Sequence, residues 1–228
     1  MILAVLLQAG PKVDIVAPSD PFVFTAPAGP AYSPYMVVLT NKTDHDIVGL
    51  AVTWAPEGDQ PYGVQSESFG STTKTSIVPA RGQAIVTPDG FLRSDFIQKG
   101  MAMLPKRPHP ALEAANHITV NIDAIIFDDG LVLGPDKTGL VDNINARAIA
   151  ISRVLETVRR ATTDGQDVTA ALRAMMPPAG TNLALLPPDL VRNWIVFYAG
   201  QLSRLPQRRD RSVQDLQQLP IPPTFFRK

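Results

Sequence analysis

Around Gly134 the hydrophobic period of this 228-residue chain changes, and that change limits the fold more than any other feature. Upstream, apolar and polar residues alternate in short runs closed by proline, glycine or polar turns. Tyr35–Thr40 and Ile47–Trp54 flank the polar Asn41–Asp46, and Gln83–Thr87 and Ile118–Phe127 follow. β-Branched and aromatic runs at period two read as strands. The pair around Asn41–Asp46 reads as an antiparallel hairpin or the corner of a sandwich. Helices long enough for parallel crossovers do not fit between these runs, so an α/β sheet is excluded. Phe91–Leu104 is ambiguous, since Leu92, Phe96, Ile97 and Met101 fit a helical turn or a curved strand.

Downstream of Gly134, Leu140, Ile144, Ala148, Ile151, Leu155 and Val158 recur at steps of three and four, which predicts a long amphipathic helix from Thr138. Asp164-Gly165 should stop it. A second helix is expected after Asp167, and a third from Pro187-Pro188-Asp189 with Leu190, Trp194, Phe197, Tyr198 and Leu202 inward. A short last helix is expected at Ser212, with Asp215 at capping-box spacing. The fold class is therefore α+β: an immunoglobulin-like antiparallel β-sandwich over residues 12–134, then a helical region over 135–228 that packs on it and ends in a proline-rich aromatic tail. Residues 1–11 are either the remnant of a secretory signal or a first strand. Met1–Ala9 is apolar and ends in a small residue, but it lacks a basic start.

Composition removes several functions. With no cysteine there is no disulfide, thiolate nucleophile or cysteine-ligated metal. Lys+Arg 21 against Asp+Glu 21 gives no charge that would draw the chain to nucleic acid. No run approaches the ~20 apolar residues of a membrane span.

Gly134-Pro-Asp-Lys-Thr-Gly139 lies between a strand and a helix, as a phosphate loop does. A phosphate loop, however, carries Lys and Ser/Thr directly after its second glycine, and Leu140-Val141 stand there. The stretch reads as a connection in which Asp136 or Thr138 caps the helix. Asp123, Asp128, Asp129 and Asp136 supply oxygens of the kind calcium takes, without the order of an EF-hand, and Asp128-Asp129-Gly130 also suits a tight hairpin turn. His45, His109 and His117 show no metal-ligand spacing, and no nucleophile elbow marks a serine. Arg204, Arg208, Arg209 and Arg211, interrupted by Asp210, read as a solvated loop, and Asn41-Lys42-Thr43 fits a glycosylation acceptor.

Val37-Val-Leu-Thr-Asn41, Asp46-Ile-Val-Gly49 and Ile122-Asp-Ala-Ile-Ile-Phe-Asp-Asp-Gly130, with Gly134-Pro-Asp136 and Gly139 opening a helix, resemble a group of uncharacterised, exported bacterial proteins. These pair a β-sandwich with a helical C-terminal part. The resemblance covers about Tyr35–Arg160, implies that fold and an extracytoplasmic address, and carries no activity.

The sequence thus leads to a non-enzymatic extracytoplasmic (periplasmic or secreted) binding or structural module. It assigns no cofactor, no metal and no catalytic residue. Its alternative is a carboxylate- or metal-dependent hydrolase using Asp128, Asp129 and Asp136. The tail with Ile221, Phe225 and Phe226 either folds back on the core, the commoner outcome, or docks on another protein as its partner.

Overall fold

The computed structural model describes residues 12–17, 23–27, 35–58, 61–69, 76–93, 109–178, 180–181, 188–204 and 206–227. The readings made for Met1–Ala9, and for Phe96, Ile97 and Met101, lie outside them. Leu92 belongs to a strand. The fold is mixed α+β, with two sheets and five α-helices among the described residues. By internal contacts the chain divides into one unit of residues 1–68, 75–140 and 224–228 and a second of residues 69–74 and 141–223.

The first unit holds both sheets. The larger runs in the order β10-β9-β8-β4-β5, from Phe226–Arg227, Leu131–Leu133, His117–Phe127, Ile47–Pro56 and Tyr62–Glu67, and β1 (Lys12–Val16) also pairs with β8. The smaller is antiparallel, β2-β3-β6-β7, from Val23–Pro27, Val37–Asn41, Gln83–Thr87 and Gly90–Arg93. The short helix α1 (Pro110–Ala114) precedes β8. One hydrophobic core draws on both sheets: Val37, Leu39 and Val86 from the smaller, Leu50, Val52, Trp54, Ile118, Val120 and Ile122 from the larger. Trp54 is completely buried, and its indole N–H donates to the Tyr35 carbonyl at 2.8 Å, which satisfies its one polar atom.

The hairpin-or-corner alternative at Asn41–Asp46 resolves to the corner, and the expectation of antiparallel pairing throughout is corrected. The runs around Asn41–Asp46 do not pair with each other. β3 pairs with β2 and β6, while β4 pairs with β5 and β8, so the turn is a corner between sheets. Period-two alternation places a residue on a face but does not choose its neighbouring strand. The β1–β8 and β10–β9 pairs are parallel, although the rest of the larger sheet is antiparallel. Both parallel strands come from far along the chain, where no tight hairpin dictates direction.

The second unit is helical. Helix α2 (Leu140–Thr163) ends where Gly165 takes φ +67° and Gln166 N–H donates to Ala161 O at 2.8 Å, the six-to-one bond of a glycine-terminated helix. Helix α3 (Val168–Ala174) is capped as expected, with the Asp167 carboxylate accepting from Thr169 N–H. Ala150, Val154, Leu172, Ile195, Tyr198, Ala199 and Leu202 form its core.

The inward face of α4 (Leu190–Arg204) is rotated from the expected stripe. Ile195, Tyr198, Ala199 and Leu202 are buried, while Leu190 and Phe197 remain about half exposed. Arg147 of α2 is buried, with its guanidinium 5.7 Å from the Trp194 ring centre. Helix α5 begins at Arg209, so Ser212 lies inside it and caps nothing.

The tightest backbone approach in the larger sheet is at Gly49, where a Cβ would meet the Ile126 Cβ at 2.9 Å. Gly49→Ala should therefore destabilise the protein by about 1–3 kcal/mol through overpacking. Chemical denaturation of variant and parent checks this, and an unchanged midpoint would contradict it.

Candidate functional site

A β-bulge in β8 places the buried carboxylate of Asp123. Ala51 pairs with Ala124 and Val52 with Ile122, leaving Asp123 with no opposite residue on β4. A bulge bends its strand locally and re-aims a side chain. On the other side of β8, β1 pairs only with residues 117–121 and β9 only with 125–126, so Asp123 faces the gap between two strands that share one edge.

The 134–139 loop meets β8 at Asp123. Asp136 N–H donates to Asp123 O at 3.0 Å, and the Asp123 carboxylate accepts from Lys137 N–H at 3.0 Å, Thr138 N–H at 2.7 Å and the Thr138 hydroxyl at 2.7 Å. Burial acts to raise the Asp123 pKa. The Thr138 hydroxyl and the Thr138 and Lys137 N–H groups outweigh it and hold the carboxyl below its ordinary value. The anion in this glycine-flanked loop is thus the protein's own carboxylate. Backbone donors that would cradle a phosphate in a nucleotide site are already occupied.

Asp136 belongs to the same construction. It adopts φ +52°, and its carboxylate accepts from Leu140 N–H, the first residue of α2, at 2.7 Å. The expectation that Asp136 or Thr138 caps the helix resolves to Asp136, with Thr138 turned to Asp123. Arg227 in the tail donates to Pro135 O at 3.2 Å and lies 3.7 Å from the Asp136 carboxylate. A cavity of about 410 Å³ lies beside this loop, lined by Val16, Thr53, Asn121, Asp123, Lys137 and Thr138.

Asp128 and Asp129 form the turn between β8 and β9. Gly130 takes φ +93°, its N–H donates to Phe127 O, and Asp129 Oδ1 accepts from Leu131 N–H at 3.0 Å. The corner loop delivers His45 to this turn. Its Nδ1 is 2.9 Å from Asp128 Oδ1 and its Nε2 is 3.8 Å from Asp129 Oδ2. Ligand atoms of His45, Asp128 and Asp129 lie within 4.8 Å of one another. That group contains no Asp136, so only two of the three aspartates singled out from the sequence come together.

Sequence spacing missed His45, because 83 residues separate it from Asp128. The one available signal was that Asn41–Asp46 and Asp128–Gly130 both read as turns at strand ends. A cavity of about 290 Å³ adjoins the group, lined by Lys42, Asp44, His45, Arg81, Asp129 and Leu131. Arg81 donates twice to Asp44, at 2.8 and 3.0 Å, and its guanidinium holds that carboxyl below the usual range.

The other histidines also face aspartates: His109 lies 3.1 Å from Asp89 and His117 lies 2.9 Å from Asp14. In the arginine run, Arg209 donates to Leu202 O and to the Thr169 hydroxyl, which ties α5 to the rest of the second unit. Compared with family models, curated proteins and solved structures, the chain matches none of them.

Asp123→Ala removes the acceptor for three donors, two of them backbone N–H groups. It should cost about 1–3 kcal/mol, because three hydrogen bonds to a charged acceptor are lost together. The pH dependence has a defined sign. The Asp123 carboxyl titrates below the ordinary aspartate value in the folded protein, so its stabilisation is fully present above that value. It is lost as pH falls through the folded-state pKa. Urea titrations of parent and Asp123→Asn should differ at neutral pH, and the difference should shrink as pH falls below the ordinary aspartate range. A difference that persists unchanged into acid would contradict this account.

Proposed function

We propose that this chain is a non-enzymatic binding or structural module that works outside the cytoplasm. In this reading the two sheets form an immunoglobulin-like sandwich, and the ligand is another protein. The observation that carries it is how the acidic residues are used. Asp123 gathers the 136–138 loop, Asp136 holds the start of α2, and one oxygen of Asp129 closes a turn. A hydrolase built on Asp128, Asp129 and Asp136 needs those carboxylates around one reacting bond, and Asp136 stands outside the group formed by the other two. The extracytoplasmic address rests on the resemblance to exported proteins.

The tail supports a protein partner. Ile221 is 91% exposed between Pro220 and Pro222-Pro223, and Phe226 is 46% exposed at the sheet edge. Large apolar side chains held in an extended, proline-stiffened segment favour docking, because little backbone freedom is lost on binding.

Ile221→Asp provides the test, because so exposed a side chain contributes within about 0.5 kcal/mol to stability. The variant should unfold at the parent's denaturant midpoint and fail to retain the proteins that the parent retains from its native host. Equal retention by both would remove the tail as a docking segment. Hydrolytic turnover by the purified chain, abolished by Asp128→Asn, would overturn the module reading itself.

A further inference from the structure

We propose that His45 and Asp129, with Asp128 as the orienting carboxylate, form a binding site for a divalent first-row transition-metal ion such as Zn²⁺. The inference goes beyond the module reading and does not depend on it. The donor set is mixed, one imidazole nitrogen with carboxylate oxygens, which suits zinc and its neighbours better than calcium or magnesium.

The imidazole contacts fix the roles. A carboxylate only accepts, so the 2.9 Å contact between Nδ1 and Asp128 Oδ1 places the ring proton on Nδ1. In the neutral ring Nε2 then carries the lone pair, and it faces Asp129 Oδ2 at 3.8 Å. Zinc bound by both atoms, at about 2.0–2.2 Å from each in tetrahedral geometry, would separate them by about 3.4 Å. The two donors thus stand within a few tenths of an ångström of chelating distance. A carboxylate on the far ring nitrogen is the arrangement that orients metal-bound histidines and raises their basicity. The other oxygen of Asp129 is held by Leu131 N–H, so Oδ2 is presented to the ring without a further ordering cost. The adjoining cavity of about 290 Å³ leaves room for the waters that complete coordination. Lys42 and Arg81 also line that cavity, and the Arg81 charge is balanced by Asp44.

A purely structural role for the His45 ring is already filled by other groups. The corner loop joins the hairpin through Asp128 N–H to Asp46 O at 2.9 Å. The loop itself is fixed by Asn41 Nδ2 donating to His45 O at 2.7 Å and Pro79 O at 3.1 Å, and by Asp46 accepting from Ala80 N–H at 2.7 Å. None of these bonds uses the imidazole. The ring and the two carboxylates are instead 34–53% exposed, where an ion reaches them from solvent.

The test is a calorimetric titration of ZnCl₂ into the full chain, stripped with EDTA, at neutral pH. One Zn²⁺ per chain should bind, and His45→Gln and Asp129→Asn should each abolish that binding. Asp128→Ala should weaken it by about 10–100-fold, the usual effect of losing an orienting carboxylate. The double variant His109→Gln/His117→Gln should bind as the parent does. Circular dichroism of each metal-free variant checks that it is folded, and the exposure of these side chains predicts that it is. CaCl₂ should give no site that depends on His45. Two results would overturn the proposal: no zinc bound beyond the level seen with His45→Gln, or zinc binding that survives both His45→Gln and Asp129→Asn.

Discussion

The bulge at Asp123 is the constraint on which the local architecture of the first unit depends. One unpaired residue in the central strand β8 turns a carboxylate toward the gap between β1 and β9. A buried carboxylate costs several kcal/mol unless hydrogen bonds compensate it. The 136–138 loop supplies three donors, and doing so fixes its own backbone. Asp136 is thereby held in a left-handed conformation from which it receives Leu140 N–H, and α2 starts there. The tail strand is tied to the same loop by Arg227, which donates to Pro135 O, and to the β8–β9 turn by Phe226 N–H, which donates to Gly130 O.

The corner at residues 41–46 is the second fixed point. Its Asn41 is almost fully buried and donates to two carbonyls, one within the loop and one at Pro79. Asp46 accepts from Ala80 N–H, and its carbonyl accepts from Asp128 N–H. The chain can therefore pass from the smaller sheet to the larger without leaving buried backbone groups unpaired. The same loop leaves the His45 side chain facing the Asp128–Asp129 turn.

Much of this fold was legible in the sequence because period reports burial. Alternation identified Val37–Asn41, Ile47–Pro56, Gln83–Thr87 and His117–Phe127, and the change at Gly134 separated sheet from helix. Pairing was not legible. A residue pattern carries no label for its neighbour, so the corner at Asn41–Asp46 could also be read as a hairpin, and Lys12–Val16 alternates as a strand does without showing that it pairs in parallel with β8. The helical face of α4 was misjudged by one position because Leu190 and Phe197 are apolar yet exposed, while Ala199 is small and buried. Hydrophobicity alone ranks those residues in the wrong order.

The candidate site shows why spacing tests can reject a motif and still miss a site. Spacing examines residues joined by one local element, such as a phosphate loop or a calcium loop, and by that measure Asp123, Asp128, Asp129 and Asp136 belonged to nothing. The structure divides them by direction. Asp123 and Asp136 point inward to backbone donors and are consumed by the fold. Asp128 and Asp129 sit on a turn whose side chains face solvent and meet a histidine from a distant corner. The sorting variable is the backbone conformation each aspartate occupies, a bulge or a left-handed cap against a hairpin turn. A turn holds its backbone in place through its own short bonds, so its outward groups stay available to whatever the neighbouring loop presents. In this chain the neighbouring loop presents the His45 imidazole, and chemistry is therefore to be sought at the meeting of two turns rather than in any contiguous motif.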